Sequence, residues 1–414
     1  MPTPIPTQEE PTVAKQSIEN VDVAGKRVLM RVDFNVPIDN GVIQDDRRIR
    51  LALPSINSVL ERGGRLVLMS HLGRPGGIGY QKEFSLEPCA EALSTLLGRP
   101  VGFPSTDCLN NDAKNAIEAL SDGECLLLEN LRFHRGEKKG DQEFASKLAA
   151  LADIYCNEAF GTSHRTDASM LGVPRAMDGK PRAMGQLLAR EVRYLSEALR
   201  EPKQPFVAVL GGAKVSDKIP CIEHLIPKCA HILIGGAMAY TFLSALEKNV
   251  GDSRVEAGRL SDAKRLLEMA ASSACVIHLP KDHICSREFS DSTGGAEIHT
   301  EEIPNGWMGL DIGPQTQGAY ESILHEASTI VWNGPMGVFE WNSFKVGTTQ
   351  VAKAMAQATA NNNAVTIVGG GDTASAAEKF EIADKVSHVS TGGGASLAML
   401  SGEPFESIEI LDDA

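Results

Sequence analysis

VAVLGGAKVSDKI, at positions 207–219, runs from an apolar stretch into a glycine-rich turn and then into a helical pattern. The same change recurs in ILIGGAMAYTF (232–242), IVWNGPMGVFE (330–340), TIVGGGDTASA (366–376) and HVSTGGGASLA (388–398). Glycine lets backbone approach a ligand closely, and a helix N-terminus offers unpaired N–H groups to an anion. Five such turns predict a parallel sheet that binds a phosphate-bearing ligand along its carboxyl edge.

The first half of the chain repeats the strand-then-loop pattern with polar and cationic loops. The stretches are RVLMRVDFNVP (27–37), RLVLMSHLGRP (65–75), CLLLENLRFH (125–134) and IYCNEAFGTSHR (154–165). Helical patterns lie between them, in SLEPCAEALSTLLG, where Ser85 is the expected N-cap, and in DQEFASKLAALAD. This alternation of strands and helices predicts a second parallel sheet.

A third helical pattern marks the expected connection between the two halves. Leu188, Val192, Leu195 and Leu199 lie at helical spacing, and the helix should end before Pro202. This helix lies between the first half, whose loops carry arginine, and the second half, whose loops are rich in glycine. A chain of 414 residues is also long for one core, so we expect two α/β domains.

Composition restricts the function further. The chain has 42% hydrophobic and 23% charged residues, and no stretch approaches 18 uninterrupted apolar residues, so we expect no membrane association. The net charge of −14 argues against nucleic-acid binding. The eight cysteines form no C-x-x-C pair, which favours reduced thiols in a cytosol-like compartment. Residues 1–16 carry four prolines and no apolar core, so we expect a disordered extension.

Cationic side chains recur at the predicted strand ends of the first half, namely Arg48, His71, Arg74, Arg132 and Arg165. Because parallel strands end at one edge, these groups can converge there on phosphate or carboxylate oxygens. The alternative is that they are ordinary surface charges. The pair Asp33 and Asn35 suits a substrate hydroxyl or an arginine partner, or else caps a turn.

The glycine loops carry a different chemistry. Lys214 and Lys218 follow a double glycine at helical spacing and can reach phosphate oxygens, or they form a solvated helix face. No Walker A pattern occurs, but GGGDTA (369–374) fits the dinucleotide-binding template. Its Asp372 opposes a bare pyrophosphate and suits Mg²⁺, unless it simply caps a helix. Glu340 is a candidate for ribose hydroxyls.

Ten segments, read together, resemble the phosphoglycerate kinase family in its own order, from about residue 17 to the end. They are RVDFNVP, SHLGRP, ENLRFH, AFGTSHR, GGAKVSDKI, GGAMAYTFL, GLDIGP, WNGPMGVFE, GGGDTASA and STGGGASL. The resemblance implies an α/β protein of two Rossmann-like lobes, each a parallel β-sheet flanked by helices, joined by a hinge helix. It implies a triose-binding N-lobe at 17–188, a nucleotide-binding C-lobe at 189–400, and a tail at 401–414 that returns to the N-lobe.

The resemblance also implies site residues. The triose site would comprise Asp33, Phe34, Asn35, Arg48, His71, Leu72, Gly73, Arg74, Arg132 and Arg165. The nucleotide site would comprise Gly212, Ala213, Lys214, Lys218, Gly309, Asn333, Pro335, Glu340, Gly370, Gly371, Asp372 and Thr373. Arg48 and Lys218 would be catalytic, and Asp372 would hold Mg²⁺. Glu158, Thr166 and Asp167 depart from the family pattern and bring an acid next to a triose arginine.

The expected activity is reversible phosphoryl transfer from 1,3-bisphosphoglycerate to ADP, giving ATP and 3-phosphoglycerate. We expect charge stabilisation and domain closure without a general base, in a monomeric, cytoplasmic glycolytic enzyme. One alternative is an NAD(P)-dependent dehydrogenase that uses the GGGDTA loop. A bilobal protein that binds small anions without catalysis is the other.

Overall fold

The computed structural model describes residues 14–291 and 295–414 and separates into two units. The first unit is the chain up to Arg190 together with Phe405–Ala414, and the second is Glu191–Pro404. The division thus lies two residues beyond the expected limit at 188/189. The return to the first unit begins at Phe405, four residues later than expected.

The first unit contains a five-stranded parallel sheet and a two-stranded hairpin. The strands are β1 (Arg27–Arg31), β2 (Ile38–Asp39), β3 (Val42–Ile43), β4 (Arg65–Met69), β5 (Cys125–Leu127), β6 (Ile154–Asn157) and β7 (Arg182–Met184). The main sheet has the order β5-β4-β1-β6-β7, and β2 pairs with β3. In β1, Val28, Leu29 and Met30 are fully buried, as a strand covered on both faces requires.

Helices connect the strands of this sheet, and the last of them contains the division between the two units. They are α1 (Arg47–Glu61), α2 (Glu87–Leu97), α3 (Asn111–Glu118), α4 (Arg135–Lys139), α5 (Gln142–Ala149), α6 (Val173–Ala176) and α7 (Gln186–Arg200). The end of α7 before Pro202 is as predicted. The expected N-cap of α2 is one residue early, since Leu86 takes that position. Ser85 still accepts a hydrogen bond from Glu87 N (3.2 Å).

The second unit has a six-stranded parallel sheet and a smaller antiparallel one. Its strands are β8 (Phe206–Leu210), β9 (His231–Ile234), β10 (Val276–His278), β11 (Asp282–Ser286), β12 (Glu297–Thr300), β13 (Met308–Ile312), β14 (Thr329–Asn333), β15 (Val365–Gly369) and β16 (His388–Val389). The parallel order is β10-β9-β8-β14-β15-β16. The five predicted strands therefore lie side by side, and β10 adds an edge. The antiparallel sheet β12-β11-β13 was not predicted.

Helices again connect the strands. They are α8 (Ile219–Leu225), α9 (Met238–Ala245), α10 (Leu260–Ala271), α11 (Pro314–Glu326), α12 (Val346–Asn362), α13 (Gly371–Lys379) and α14 (Gly394–Leu400). In both parallel sheets the chain starts near the middle, winds to one side and then crosses to the other. The direction changes between β1 and β6 in the first unit and between β8 and β14 in the second. Ligands of open α/β sheets bind at the carboxyl ends of strands at such points.

The first described residues meet the C-terminal residues on the first unit, which also contains α15 (Glu406–Glu409). Gln16 N donates to Asp412 O (2.7 Å), and Met184 N donates to Gln16 O (2.8 Å). Arg182 binds the Asp412 carboxylate through Nη2 (2.7 Å). The expected disordered extension over 1–16 is therefore too long, since residues 14–16 are ordered by these contacts. Residues 1–13 lie outside the described residues.

Candidate functional site

The first unit gathers a cationic cluster, which we define as Arg31, Arg48, His71, Arg132 and Arg165. Arg31 ends β1 at the point where the sheet changes direction, and His71 follows β4. Burial lowers the pKa of His71 well below its usual value, and the charges of the four arginines lower it further. The imidazole is therefore neutral near pH 7, and the positive charge of the cluster comes from guanidinium groups.

Asp33 and Asn35 position the cluster from the loop after β1. Arg48 Nη1 donates to Asp33 Oδ2 (2.9 Å) and to the carbonyl oxygen of Asn35 (3.2 Å). Asn35 Oδ1 accepts a hydrogen bond from Gly73 N (2.9 Å), which ties this loop to the loop after β4. Asp33 thus has an arginine partner, as one of the sequence-based interpretations expected.

Arg132 carries a buried charge that the protein satisfies only in part. Its Nη1 donates to Gly73 O (2.7 Å), and its Nη2 lies 3.7 Å from Asp167 Oδ2. Arg132 Nε and Asp167 Oδ2 are both buried without a hydrogen-bond partner. Burial lowers the pKa of Arg132, and Arg165 adds to the effect. Because buried polar groups are normally paired, the free donor of Arg132 points to an anionic ligand.

The remaining predicted triose residues contribute in other ways. Phe34 is fully buried and Leu72 nearly so, which leaves their backbone groups as the parts that can face a ligand. Phe34 N already donates to Ser70 Oγ (2.9 Å). Arg74 is exposed on the loop after β4, and Arg165 is half-buried after β6.

The predicted departures from the family pattern have different structural roles. Glu158 is buried, and its carboxylate accepts hydrogen bonds from Leu187 N (3.1 Å) and Leu188 N (3.2 Å) at the start of α7. Its carboxylate therefore caps a helix, while its backbone N–H donates to Arg31 O (2.9 Å). Asp167 does lie beside Arg132, whereas Thr166 is exposed.

Glu158 predicts a pH effect on stability. Burial raises the pKa of its carboxyl group from 4.5 to about 7. Between these values the folded protein holds a proton that the unfolded chain releases, so its stability falls as pH rises. We expect the difference in Tm, wild type minus Glu158→Gln, to decrease from about pH 4.5 to about pH 7. Thermal unfolding followed by circular dichroism measures it, and a constant difference would contradict the assignment.

A glycine-lined cradle lies in the second unit at the carboxyl ends of β8, β14 and β15. The cavity has a volume of about 350 Å³, and its lining includes Gly212, Ala213, Lys214, Lys218, Asn333, Pro335, Gly370, Gly371, Asp372 and Thr373. Lys218 Nζ hydrogen-bonds to Asn333 Oδ1, while Asn333 Nδ2 is buried without a partner. Burial lowers the pKa of Lys218, and Asp217 and Asp372 oppose this change.

Glycine is required at two positions of this cradle. Gly334 has φ +103°, and a Cβ there would lie 2.2 Å from the carbonyl oxygen of Gly211. Gly370 has φ +95° and is the N-cap residue of α13. Gly334 N donates to Thr373 Oγ1 (2.7 Å), which fixes the turn after β14 against the start of that helix. The first residues of α13, Gly371, Asp372 and Thr373, line the cradle, and a helix N-terminus offers amide groups to an anion.

An adjoining, more apolar cavity of about 450 Å³ shares part of this lining. Its walls include Ala213, Gly309, Pro335 and Glu340, together with residues that the sequence did not single out, Arg254, Phe289, Met308, Leu310 and Val338. The Phe289 and Trp341 rings lie 4.7 Å apart. Largely apolar walls, with the carboxylates of Asp252, Glu340 and Asp372 among them, suit a planar base attached to a sugar.

Two groups of side chains bear on metal binding. Asp372 is exposed, lines both cavities, and has no hydrogen-bond or ion-pair partner among the described residues, so one carboxylate is free to bind Mg²⁺ beside phosphates. It lies inside α13 without capping it, which excludes the helix-cap alternative. In the first unit, Asp107, Cys108 and His134 are close together. Burial and nearby carboxylates raise the pKa of the Cys108 thiol, which opposes metal binding there.

Sequence reasoning missed several residues of the first site. Arg31 follows three fully buried apolar residues and is itself fully buried. In the sequence it therefore looks like an ordinary residue of the strand and not like a site residue. Its position as the last residue of a strand before a polar loop was the available signal. Glu137 and Ser169 are far from Arg31 in the sequence, and only the folded structure brings them into hydrogen-bond contact with it or with each other.

The chain is similar in sequence to known proteins over nearly its whole length. The sequence model described as "Phosphoglycerate kinase" matches residues 18–403. A phosphoglycerate kinase of Rhodopirellula baltica is 54% identical over 97% of this chain and 100% of its own length. One from Lactobacillus acidophilus is 48% identical with the same coverage.

Solved structures agree. The phosphoglycerate kinase from Coxiella burnetii superposes with a TM-score of 0.85 at 40% identity, over 96% of this chain and 98% of that one. The enzyme from Pyrococcus horikoshii OT3 superposes with a TM-score of 0.82 at 31% identity, with the same coverage of both chains. Within the described ranges, no helix is both long and apolar enough to cross a bilayer.

Proposed function

This chain belongs to the phosphoglycerate kinase family, and we propose that its cationic cluster binds the triose phosphate while its glycine cradle binds the nucleotide. The activity is reversible phosphoryl transfer from 1,3-bisphosphoglycerate to ADP, giving ATP and 3-phosphoglycerate. The observation that carries the proposal is the buried, partly unsatisfied guanidinium of Arg132 among three other arginines. The dehydrogenase alternative based on GGGDTA is not supported.

In the first unit, we assign the non-transferring phosphate to Arg74, Arg132, Arg165 and His71. Guanidinium groups suit it because their paired donors match phosphate oxygens. Asp33 and Asn35 would hold the hydroxyl and carboxyl portion of the triose. Phe34, Leu72 and Gly73 would contribute backbone contacts.

Arg48 is assigned to the transferring phosphoryl group. Its Asp33 and Asn35 contacts hold the guanidinium in place, and the Arg48 side chain as a whole is 33% exposed. A fixed and accessible charge of this kind stabilises developing negative charge without reorganisation.

In the second unit, we assign nucleotide phosphates to Lys214, Lys218 and the amides of Gly212 and Ala213, together with the loop Gly370, Gly371 and Thr373. The ribose hydroxyls would bind Glu340. The base would lie against Gly309, with Asn333 and Pro335 supporting the turn between the two cavities. The shared lining of the cavities supports this division.

The chemistry requires charge neutralisation and not proton removal. The acceptor in the direction of ATP consumption is a carboxylate, which is already ionised at neutral pH. No general base is then needed, and phosphoryl transfer depends on positioning and electrostatic stabilisation. Arg48 supplies positive charge at the triose side, and Lys218 supplies it at the nucleotide side.

Magnesium is the cofactor that the free carboxylate of Asp372 fits. When bound there, the ion would neutralise nucleotide phosphate charge. We expect Asp372→Asn to raise the Mg²⁺ concentration needed for half-maximal activity by roughly tenfold, because loss of one carboxylate weakens a site that otherwise keeps water ligands. A magnesium titration at saturating ADP measures it, and Glu378→Gln, on the same helix, is the control. An unchanged requirement would remove Asp372 as the ligand.

Transfer also requires the two bound substrates to meet. We therefore propose that turnover includes a closing movement of the two units, which would exclude water from the hydrolysable acyl phosphate. We expect small-angle scattering to show a smaller radius of gyration with 3-phosphoglycerate and ATP together than with either alone. Equal radii in all three samples would contradict closure.

The direct test of the function is ATP formation from ADP and 1,3-bisphosphoglycerate, with and without magnesium. Steady ATP production would also exclude an anion-binding protein without activity. We further propose a monomer in the cytoplasm, supported by eight free, buried cysteines within the described residues. Light scattering of the purified protein tests the monomer.

A further inference from the structure

A line of buried hydrogen bonds leads from the cationic cluster to Glu137. Ser169 donates to Glu137 through its hydroxyl (2.6 Å) and its backbone N–H (3.0 Å). Arg31 Nε donates to Ser169 Oγ (2.9 Å), and Arg31 Nη2 lies 3.0 Å from His71 Nδ1. All four side chains are at most 1% exposed. Glu137 on α4 is thus connected to the imidazole through two intermediates.

The chemistry of arginine determines where the protons lie. A guanidinium has five N–H donors and no acceptor. Ser169 Oγ therefore accepts from Arg31, and its own proton is directed to Glu137. For the same reason His71 Nδ1 must be the acceptor of the Arg31 hydrogen bond. The proton of the neutral ring is then on Nε2.

A second group competes for the same ring nitrogen. Asp33 Oδ1 lies 3.8 Å from His71 Nδ1 and is buried without a hydrogen-bond partner. If Nδ1 carried a proton, that proton would be attracted to Asp33. The Arg31 hydrogen bond favours the Nε2-protonated form of His71 over the Nδ1-protonated form, provided that the guanidinium is held in place. The other charges near the ring, Arg48, Arg132 and Arg165, disfavour the imidazolium.

We propose that Glu137 is a positioning residue which, through Ser169 and Arg31, keeps His71 neutral with its proton on Nε2. The ring then offers a single N–H donor to an anionic oxygen and leaves Asp33 free to accept from the substrate. The effect of this tautomer on substrate binding rests on the proposed function, in which His71 contacts the triose phosphate. The tautomer itself does not depend on that function.

The test uses the full-length protein labelled with ¹⁵N and a long-range ¹H–¹⁵N spectrum of the histidine rings. His71→Asn identifies the signals of His71 by their loss. We expect Ser169→Ala to change the wild-type pattern, with a protonated Nε2 and an accepting Nδ1, into a mixture of tautomers. Glu137→Gln should do the same, because the amide puts an NH₂ donor in place of one of the two oxygens that accept from Ser169.

Ser163→Ala is the matched control, since Ser163 is also buried in this unit but donates to Ala159 O (3.0 Å). It should keep the wild-type tautomer. An unchanged His71 pattern in both Ser169→Ala and Glu137→Gln overturns the proposal, as does an equal change in the control.

Kinetics separate this inference from the proposed function. Ser169→Ala should raise KM for 3-phosphoglycerate about fivefold, as for loss of one well-placed hydrogen bond, and leave KM for ATP unchanged. A changed tautomer with unchanged KM for 3-phosphoglycerate would support the positioning role of Glu137. The same result would contradict the assignment of His71 to the triose site.

Discussion

Replacing Arg48 with alanine is expected to lower kcat by roughly 100-fold or more, because a preorganised donor to the transferring phosphoryl group is lost. The side chain is held by Asp33 and by the carbonyl oxygen of Asn35, so its charge is in place before the substrate binds. Steady-state kinetics in both directions measure the effect. KM for 3-phosphoglycerate should change much less than kcat, because the contact strengthens in the transition state.

Arg50→Ala is the control for this experiment. Arg50 lies on the same helix, is exposed, and pairs with Asp46 (2.8 Å) four residues earlier. Its loss removes the same charge from the protein without touching the cluster. We expect nearly wild-type kcat, since exposed ion pairs contribute little. A wild-type kcat for Arg48→Ala, or an equal loss in both variants, would remove Arg48 from the catalytic residues.

Replacing Lys218 with methionine is expected to lower kcat by a comparable factor of roughly 100. Methionine keeps the length of the apolar stem but removes the ammonium group. Lys218 Nζ contacts Asn333, which lies at the end of β14 beside the strand β8. The positive charge is therefore fixed at the point where the sheet changes direction. Single-turnover measurements with bound ADP isolate the transfer step from product release.

The corresponding control is Lys228→Met, in the same unit but absent from the cavity linings of the nucleotide site. It should retain the wild-type rate. If Lys218→Met raised only KM for ADP and left kcat unchanged, its role would be uniform nucleotide binding and not transition-state stabilisation.

The sequence predicted the parallel sheets well because local pattern and topology agree. Each glycine turn in the second half follows a short apolar run, and such runs are typical of strands buried on both faces. The convergence of the arginines could also be predicted, since parallel strands place their carboxyl ends together. The antiparallel sheet β12-β11-β13 was missed because its strands lack this pattern. In β12 the residues are mostly exposed, and Ile298 is 57% exposed.

Other parts of the site could not be predicted from local pattern. Glu158 lies within a loop of the triose motif, yet its carboxylate turns to the start of α7, about 30 residues later. Glu137 and Ser169 are 32 residues apart and meet only after α4 is packed in the folded unit. Such contacts depend on tertiary structure, and no periodicity or motif in the chain indicates them.

The C-terminal return has a consequence for the order of synthesis. Asp412 N donates to Arg182 O (2.9 Å), and Ala414 N donates to Ala14 O (2.7 Å), so the final residues complete the margin of the first sheet. A nascent chain on the ribosome can expose all of its central segment before these residues leave the exit tunnel. The N-terminal half therefore keeps one border of its sheet unfinished until these residues have been synthesised.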